Sequence, residues 1–123
     1  MKIILLSDES IRLERAEGPL TIEAESFEQA YSPYHMMAGA LASCTHSVLD
    51  SWATHARLDA SGLAIEISWS FVEQPLRVGE LVMTIIWPEL PAERRTAAVK
   101  AAAHCPVHAT LSHPPAIRIE EPA

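Results

Sequence analysis

The sequence predicts an α+β fold. Three observations carry that expectation. Apolar and polar residues alternate near both the start and the middle of the chain, one long apolar stretch has helical spacing, and an alanine-rich helix stops at a proline. A chain of 123 residues makes one domain, residues 1–123.

The elements follow in order. "KIILL" reads as a strand, and "IRLER" and "LTIEA" alternate on either side of the turn residues Gly18 and Pro19, as half-buried strands do. Ser32 before Pro33 makes a helix start, with the serine as N-cap and the proline at the first helical position. The helix is expected to run to about Arg57 or Leu58, with Met37, Leu41, Cys44, Val48 and Trp52 sharing its buried face. "LAIEISWSFV" and "LVMTIIW", joined by "EQPLRVGE", predict a long antiparallel hairpin. "PAERRTAAVKAAAH" is a second helix, "PVHATLS" a short third one, and "AIRIE" a final strand. The expected order is β-β-β-α-β-β-α-α-β, with two antiparallel sheet segments around the long cysteine-bearing helix.

Composition narrows the function. A net charge of -7 with no Lys/Arg cluster argues against nucleic acid and against an anionic membrane surface. "MKIILL" is too short for a signal-peptide core and no run is long enough to span a bilayer, so a cytoplasmic protein is expected. Hydrophobic residues make up 49% and charged residues only 20%, which predicts that part of the apolar excess lies in a subunit interface. Four glycines form no phosphate-binding loop and no G-x-S-x-G elbow is present, so no cofactor is expected.

Two cysteines remain, which in a reducing compartment are free thiols, metal ligands or redox partners. Pro106 forbids continuation of the preceding helix but suits the first position of a new one, which puts Cys105 at an N-cap where free N–H groups favour a thiolate. Cys44 lies on the apolar helix stripe, where burial raises a thiol's pKa and the simplest role is a small core residue. A metal site is not expected. Pro106 breaks the helical alignment of His104 with His108, paired Cys/His knuckles are missing, and His46 and His55 fall on different helix faces. The histidines read as surface or capping residues. Trp52, Trp69 and Trp87 read as core or interface residues, and Glu93, Arg94 and Arg95 as a solvated helix start.

"SPYHMMAGALASCTHSVLD" and "HCPVHATL" together resemble the two signature stretches of the OsmC/Ohr family, the osmotically inducible and organic-hydroperoxide-resistance proteins. The likeness covers the chain from about Ser32 to the end. It implies an OsmC-like fold, an intertwined homodimer with sites at the interface, and a thiol peroxidase. Cys44 then matches the peroxidatic thiol, which attacks an organic hydroperoxide and becomes a sulfenic acid. Cys105 matches the resolving thiol, which forms an intramolecular disulfide that a dithiol of the lipoyl type reduces. Met36, Met37, Leu41 and Trp52 are the candidate apolar lining for the peroxide. The family's Glu after the helix-starting proline is replaced by Tyr34, so the group that activates Cys44 is sought among Arg12, Arg15, His35 and His46. The rival reading is a non-catalytic member that binds a small apolar ligand or senses redox state.

Overall fold

Alternation decides the sheet. In the computed structural model, which describes residues 1–123, five strands form one sheet. They are β1 (Lys2–Ser7), β2 (Ser10–Glu14), β3 (Thr21–Ala24), β4 (Ala64–Val72) and β5 (Arg77–Ile86), in the order β3-β1-β2-β4-β5. Ile3, Leu5, Ile11, Leu13, Ile65, Ile67 and Trp69 all point to one face and are buried there. Register stacks them: Ile3 stands opposite Leu13, Leu5 opposite Ile11, and β2 sets Ile11 against Ile67 and Leu13 against Ile65. A slip of one residue would turn this whole set to water, so burial specifies the pairing. The other face carries cross-strand charge pairs. Arg12 Nε donates to Glu66 Oε1 at 2.8 Å, and Lys2 lies 3.2 Å from Glu14. Both pairs are partly exposed and add little stability.

Two expectations about the sheet are corrected. It is one continuous sheet and not two segments, because β2 pairs with both β1 and β4. It is also mixed, because β3 pairs parallel with β1 at the edge. The final strand is corrected too. Ala116–Glu120 forms no strand, and Ile117 and Ile119 are 87% and 93% exposed. Alternation marks a potential strand, but a strand exists only where a second backbone supplies its hydrogen bonds, and this segment pairs with no edge of the sheet.

Helix α1 (Pro33–Ala56) lies across the buried face of the sheet. Its start is a reciprocal cap. Ser32 Oγ accepts from the His35 backbone N–H, and the Ser32 N–H donates to His35 Nδ1 at 3.1 Å. The His35 ring is buried, and its Nε2 donates to the Ser7 carbonyl at 3.0 Å, tying the helix start to the end of β1. Arg57 in the left-handed region ends the helix, its N–H bonded to the carbonyls of Ala53 and Thr54.

The buried stripe of α1 is shifted by one residue from the expected one. Ala38, Ala42, Thr45, Leu49 and Ala53 are the residues sealed against the sheet, at spacings of three and four. Met37, Cys44, Val48 and Trp52 form a half-buried flank beside them. Small side chains let the helix approach closely: a Cβ on Gly39 would lie 3.2 Å from Ile3 Cδ1. The larger residues are therefore turned aside.

The hairpin β4–β5 is longer than expected. Pairing starts at Arg77 opposite Val72, and a bulge falls between Ser70 and Phe71. A 3₁₀ turn at Ala92–Arg94 leads into α2 (Arg95–Ala102), and α3 (Pro106–Ser112) follows. Helix α2 stops short of the proline because the residue before it, Cys105, takes the extended conformation (φ -68, ψ 124). Both helices pack against α1, which does not reach over β5. Leu81, Met83 and Ile85, on the inner face of β5, stay half-exposed along a groove of about 1030 Å³.

Most histidines sit as expected, on the surface or in caps. His55 and His104 are exposed and bond carbonyls one turn back, and His35 is a cap. His46 departs from the expectation. It is buried at the far side of α1, with Nε2 donating to the Leu63 carbonyl at 3.2 Å. Burial pushes its pKa below the ordinary imidazole value; the Leu63 bond and Asp50 oppose that, and Arg15 adds to it. The unfolded chain takes up this proton below about pH 6.5, while the folded chain resists it. Stability is therefore present above that pH and lost as the pH falls through it. Urea midpoints at about pH 7.5 and about pH 5.5 are expected to differ by more in the native chain than in His46→Gln, which keeps an N–H donor without the titration.

Candidate active site

Three local structures bring the two thiols together. Helix α1 carries Cys44 on its half-buried flank. Pro106 forces a break after α2, and the break places Cys105 at the N-cap of α3. Packing of α3 on α1 then sets the two side chains near one another, both as free thiols. The pair is asymmetric in access: Cys105 is sealed (0% exposed), while Cys44 is partly open.

It is also asymmetric in charge. Burial pushes the Cys44 thiol up, and its bond to Cys105 pushes it further; the Val107 N–H pulls the other way without reversing the rise. Burial raises Cys105 as well, but its donors outweigh that and leave it below the ordinary thiol value. They are the neighbouring Cys44 thiol and the N–H groups at the start of α3, of which the His108 N–H lies 3.3 Å from the Cys105 sulfur. These helix-start N–H groups are the ones that the Pro106 break leaves without carbonyl partners.

None of the four sequence-nominated activators is free to serve Cys44. Arg12 is on the other face of the sheet with Glu66. Arg15 is paired with Asp50, further along α1. His35 is held between Ser32 and Ser7, and His46 by Leu63. Tyr34 is turned outward, with its ring edge-on to Phe71 at 4.8 Å. The neighbours of Cys44 are instead the second thiol and a backbone N–H.

The nominated lining residues are dispersed. Leu41 is buried and borders the groove under β5. Trp52 stacks edge-to-face on Trp87 at 6.0 Å, Met37 is half-buried on the flank, and Met36 is 52% exposed. The groove runs between β5 and helices α1, α2 and α3, with Ala98 and Ala102 on one wall and Arg95 and His108 at polar points. No cluster of three or more His, Cys, Asp or Glu side chains is assembled anywhere. Sequence reasoning missed the His108 N–H on the Cys105 sulfur and the buried Thr45, whose hydroxyl has no hydrogen-bond partner. For Thr45 the available signal was a lone hydroxyl in the series Leu41, Thr45, Leu49, at the spacing of a core stripe.

The model of the family described as OsmC-like protein matches residues 26–120. The chain belongs to this family. Two solved OsmC-like structures share the fold. One, from Psychrobacter arcticus 273-4, is described as an osmotic stress induced and detoxification response protein. It has 21% identity and a TM-score of 0.61, with 88% of this chain and 84% of that one covered. The other is an OsmC-like hydroperoxide resistance protein from Jannaschia sp. CCS1, with 20% identity and a TM-score of 0.61 over 80% of this chain and 71% of that one. No curated protein sequence matches. The OsmC-like match takes in both cysteines and the whole of α1.

Proposed function

We propose that this OsmC-like chain is a thiol-dependent peroxidase that reduces organic hydroperoxides through Cys44 and Cys105. The observation that carries the reading is the nearness of two free thiols on packed helices, one partly open and one sealed. In this reading Cys44 attacks the outer oxygen of the hydroperoxide, the O–O bond breaks, and the alcohol leaves. Cys44 becomes a sulfenic acid, which Cys105 converts to a disulfide with loss of water. A small dithiol of the lipoyl type then restores both thiols. Apolar residues near the thiols on α1 and α3 (Leu41, Val48 and Val107) favour an organic peroxide over hydrogen peroxide. The Jannaschia structure, described as a hydroperoxide resistance protein, supports the substrate class.

The active form in this reading is a homodimer acting in the cytoplasm. Support comes from the exposed Ile117 and Ile119 and from the open, mostly apolar groove under β5, apolar surface of the kind that marks an interface. A second copy that pairs with Ala116–Glu120 and covers the groove accounts for both.

The second reading is a non-catalytic OsmC-like member that binds a small apolar ligand in the groove or senses redox state. It is favoured by the raised pKa of Cys44, which has no cationic neighbour. Intact-mass measurement after one equivalent of cumene hydroperoxide separates the two. The peroxidase loses two hydrogens per chain and regains them with dihydrolipoamide. Unchanged mass with full reactivity of denatured thiols favours the binding protein.

A further inference from the structure

Helix α3 is weakly held. It has seven residues, too few for a stable helix on its own, and Val107, His108, Thr110 and Ser112 are poor helix formers. None of its residues is buried; Val107 packs half-buried against the core, and Leu111 is exposed. The chain beyond it, residues 113–123, is exposed throughout.

The firmest anchor of α3 is the residue in front of it. Cys105 is sealed, and its sulfur accepts the His108 N–H at 3.3 Å, which is the N-cap bond of the helix. His108 is in the first turn, where N–H groups have no carbonyl behind them to bond. Cap and anchor are therefore the same sulfur that stands near Cys44 on the packed helix α1.

A bonded pair of sulfurs lies much closer together than two unbonded ones. Joining Cys44 to Cys105 has to move one of them. Cys44 is in the middle of a 24-residue helix, and its neighbour Thr45 is sealed against the sheet. Cys105 stands at the head of a short helix with one half-buried side chain. The shift falls on Cys105 and draws its sulfur off the His108 N–H. The bridge then ties residue 105 to α1, but it gives the N–H groups behind that residue no acceptor in exchange.

We propose that Cys105 is a redox-sensitive cap: closing the Cys44–Cys105 disulfide withdraws its sulfur from the His108 N–H, loosens α3 and uncovers the bridge for the dithiol that reduces it. Its place in a catalytic cycle rests on the peroxidase reading; the coupling of bridge to helix does not. The steps balance. The Cys44 sulfur takes the outer oxygen of the hydroperoxide, the O–O bond breaks, and the alcohol leaves with the thiol proton. The Cys105 thiol attacks the Cys44 sulfenic acid, the S–S bond forms, and water leaves with the hydroxyl and the second thiol proton. The two sulfurs have lost two electrons, the peroxide has gained them, and α3 loosens. A dithiol displaces one sulfur of the bridge, then closes its own disulfide and displaces the other. Two electrons and two protons return to the chain, and the cap re-forms. Cys105 thus stays covered while Cys44 meets peroxide and is uncovered only when the reductant is needed.

The test is amide hydrogen exchange of the full chain, read residue by residue by NMR, in the reduced state and after oxidation with diamide. The bridge is confirmed by a mass loss of two hydrogens. Amides of residues 108–112 are expected to exchange about five- to tenfold faster in the oxidised chain, the worth of one N-cap, while those of α1 and the sheet are unchanged. Reduced Cys105→Ala, which loses the cap without a bridge, is expected to show the same increase. Cys105→Ser keeps an acceptor at the N-cap and is expected to stay slow with or without diamide. The proposal is overturned if oxidised α3 exchanges as slowly as reduced α3 or more slowly, or if folded Cys105→Ala exchanges as the native chain does. Should Cys105→Ala not fold, the reduced and oxidised native chains decide alone. A bridge that forms with α3 unchanged leaves the peroxidase reading standing. A bridge made by diamide but not by cumene hydroperoxide, with α3 loosened, removes the peroxidase reading and keeps the cap. Failure of diamide to join the thiols overturns both.

Discussion

Cys44→Ser is expected to lower organic-hydroperoxide turnover by roughly a thousandfold or more, because it removes the only thiol that solvent and substrate reach. Cys105→Ser fails differently. Cys44 then lacks its resolving partner, so any sulfenic acid formed persists and climbs to sulfinic acid. Mass spectrometry after peroxide distinguishes the cases: the native chain loses two hydrogens, Cys105→Ser gains oxygen, and Cys44→Ser is unchanged. Sustained turnover by Cys44→Ser would assign the attack to the buried sulfur and reverse the roles of the two thiols. The asymmetry of burial makes this a sharp comparison, since only one of the two neighbouring cysteines has access.

Leu13→Ala is expected to cost about 2–5 kcal/mol and to lower Tm by on the order of 10 °C. Leu13 is 1% exposed, faces Ile3 across β1 and Ile65 across β4, and belongs to the central apolar cluster beneath α1. These neighbours come from the two flanking strands and are held by backbone ladders, so they close poorly over the cavity that alanine leaves. Ile22→Ala is the control. Ile22 is on edge strand β3 and 43% exposed, and its loss is expected to stay within about 0.5 kcal/mol. Urea and thermal unfolding check both, and equal losses would mean that β3 is part of the core.

Helix and strand positions were legible wherever one local pattern is enough. The Ser32–Pro33 start, the Pro106 break and the alternation through Ile65, Ile67 and Trp69 each state their own geometry, because capping, proline stereochemistry and the two-residue strand period act within a few residues. The two cysteines were legible as candidates for the same reason. Their motifs, and with them the OsmC-like family, can be read without knowing where any side chain ends up.

Partners in space were not legible. The sequence shows that "AIRIE" alternates, but whether it forms a strand depends on a second backbone, and within this chain none pairs with it. Periodicity put Met37, Cys44, Val48 and Trp52 on an apolar face; only packing against the sheet shows that the sealed stripe is the neighbouring one with Ala42, Thr45 and Leu49. Arg12 and Arg15 read as available in the sequence, yet the fold sets Glu66 and Asp50, distant in the chain, beside them. The pairing of the thiols belongs to the same class. It depends on α3 packing against α1, and such convergence follows from how elements pack and not from the residues of either element alone.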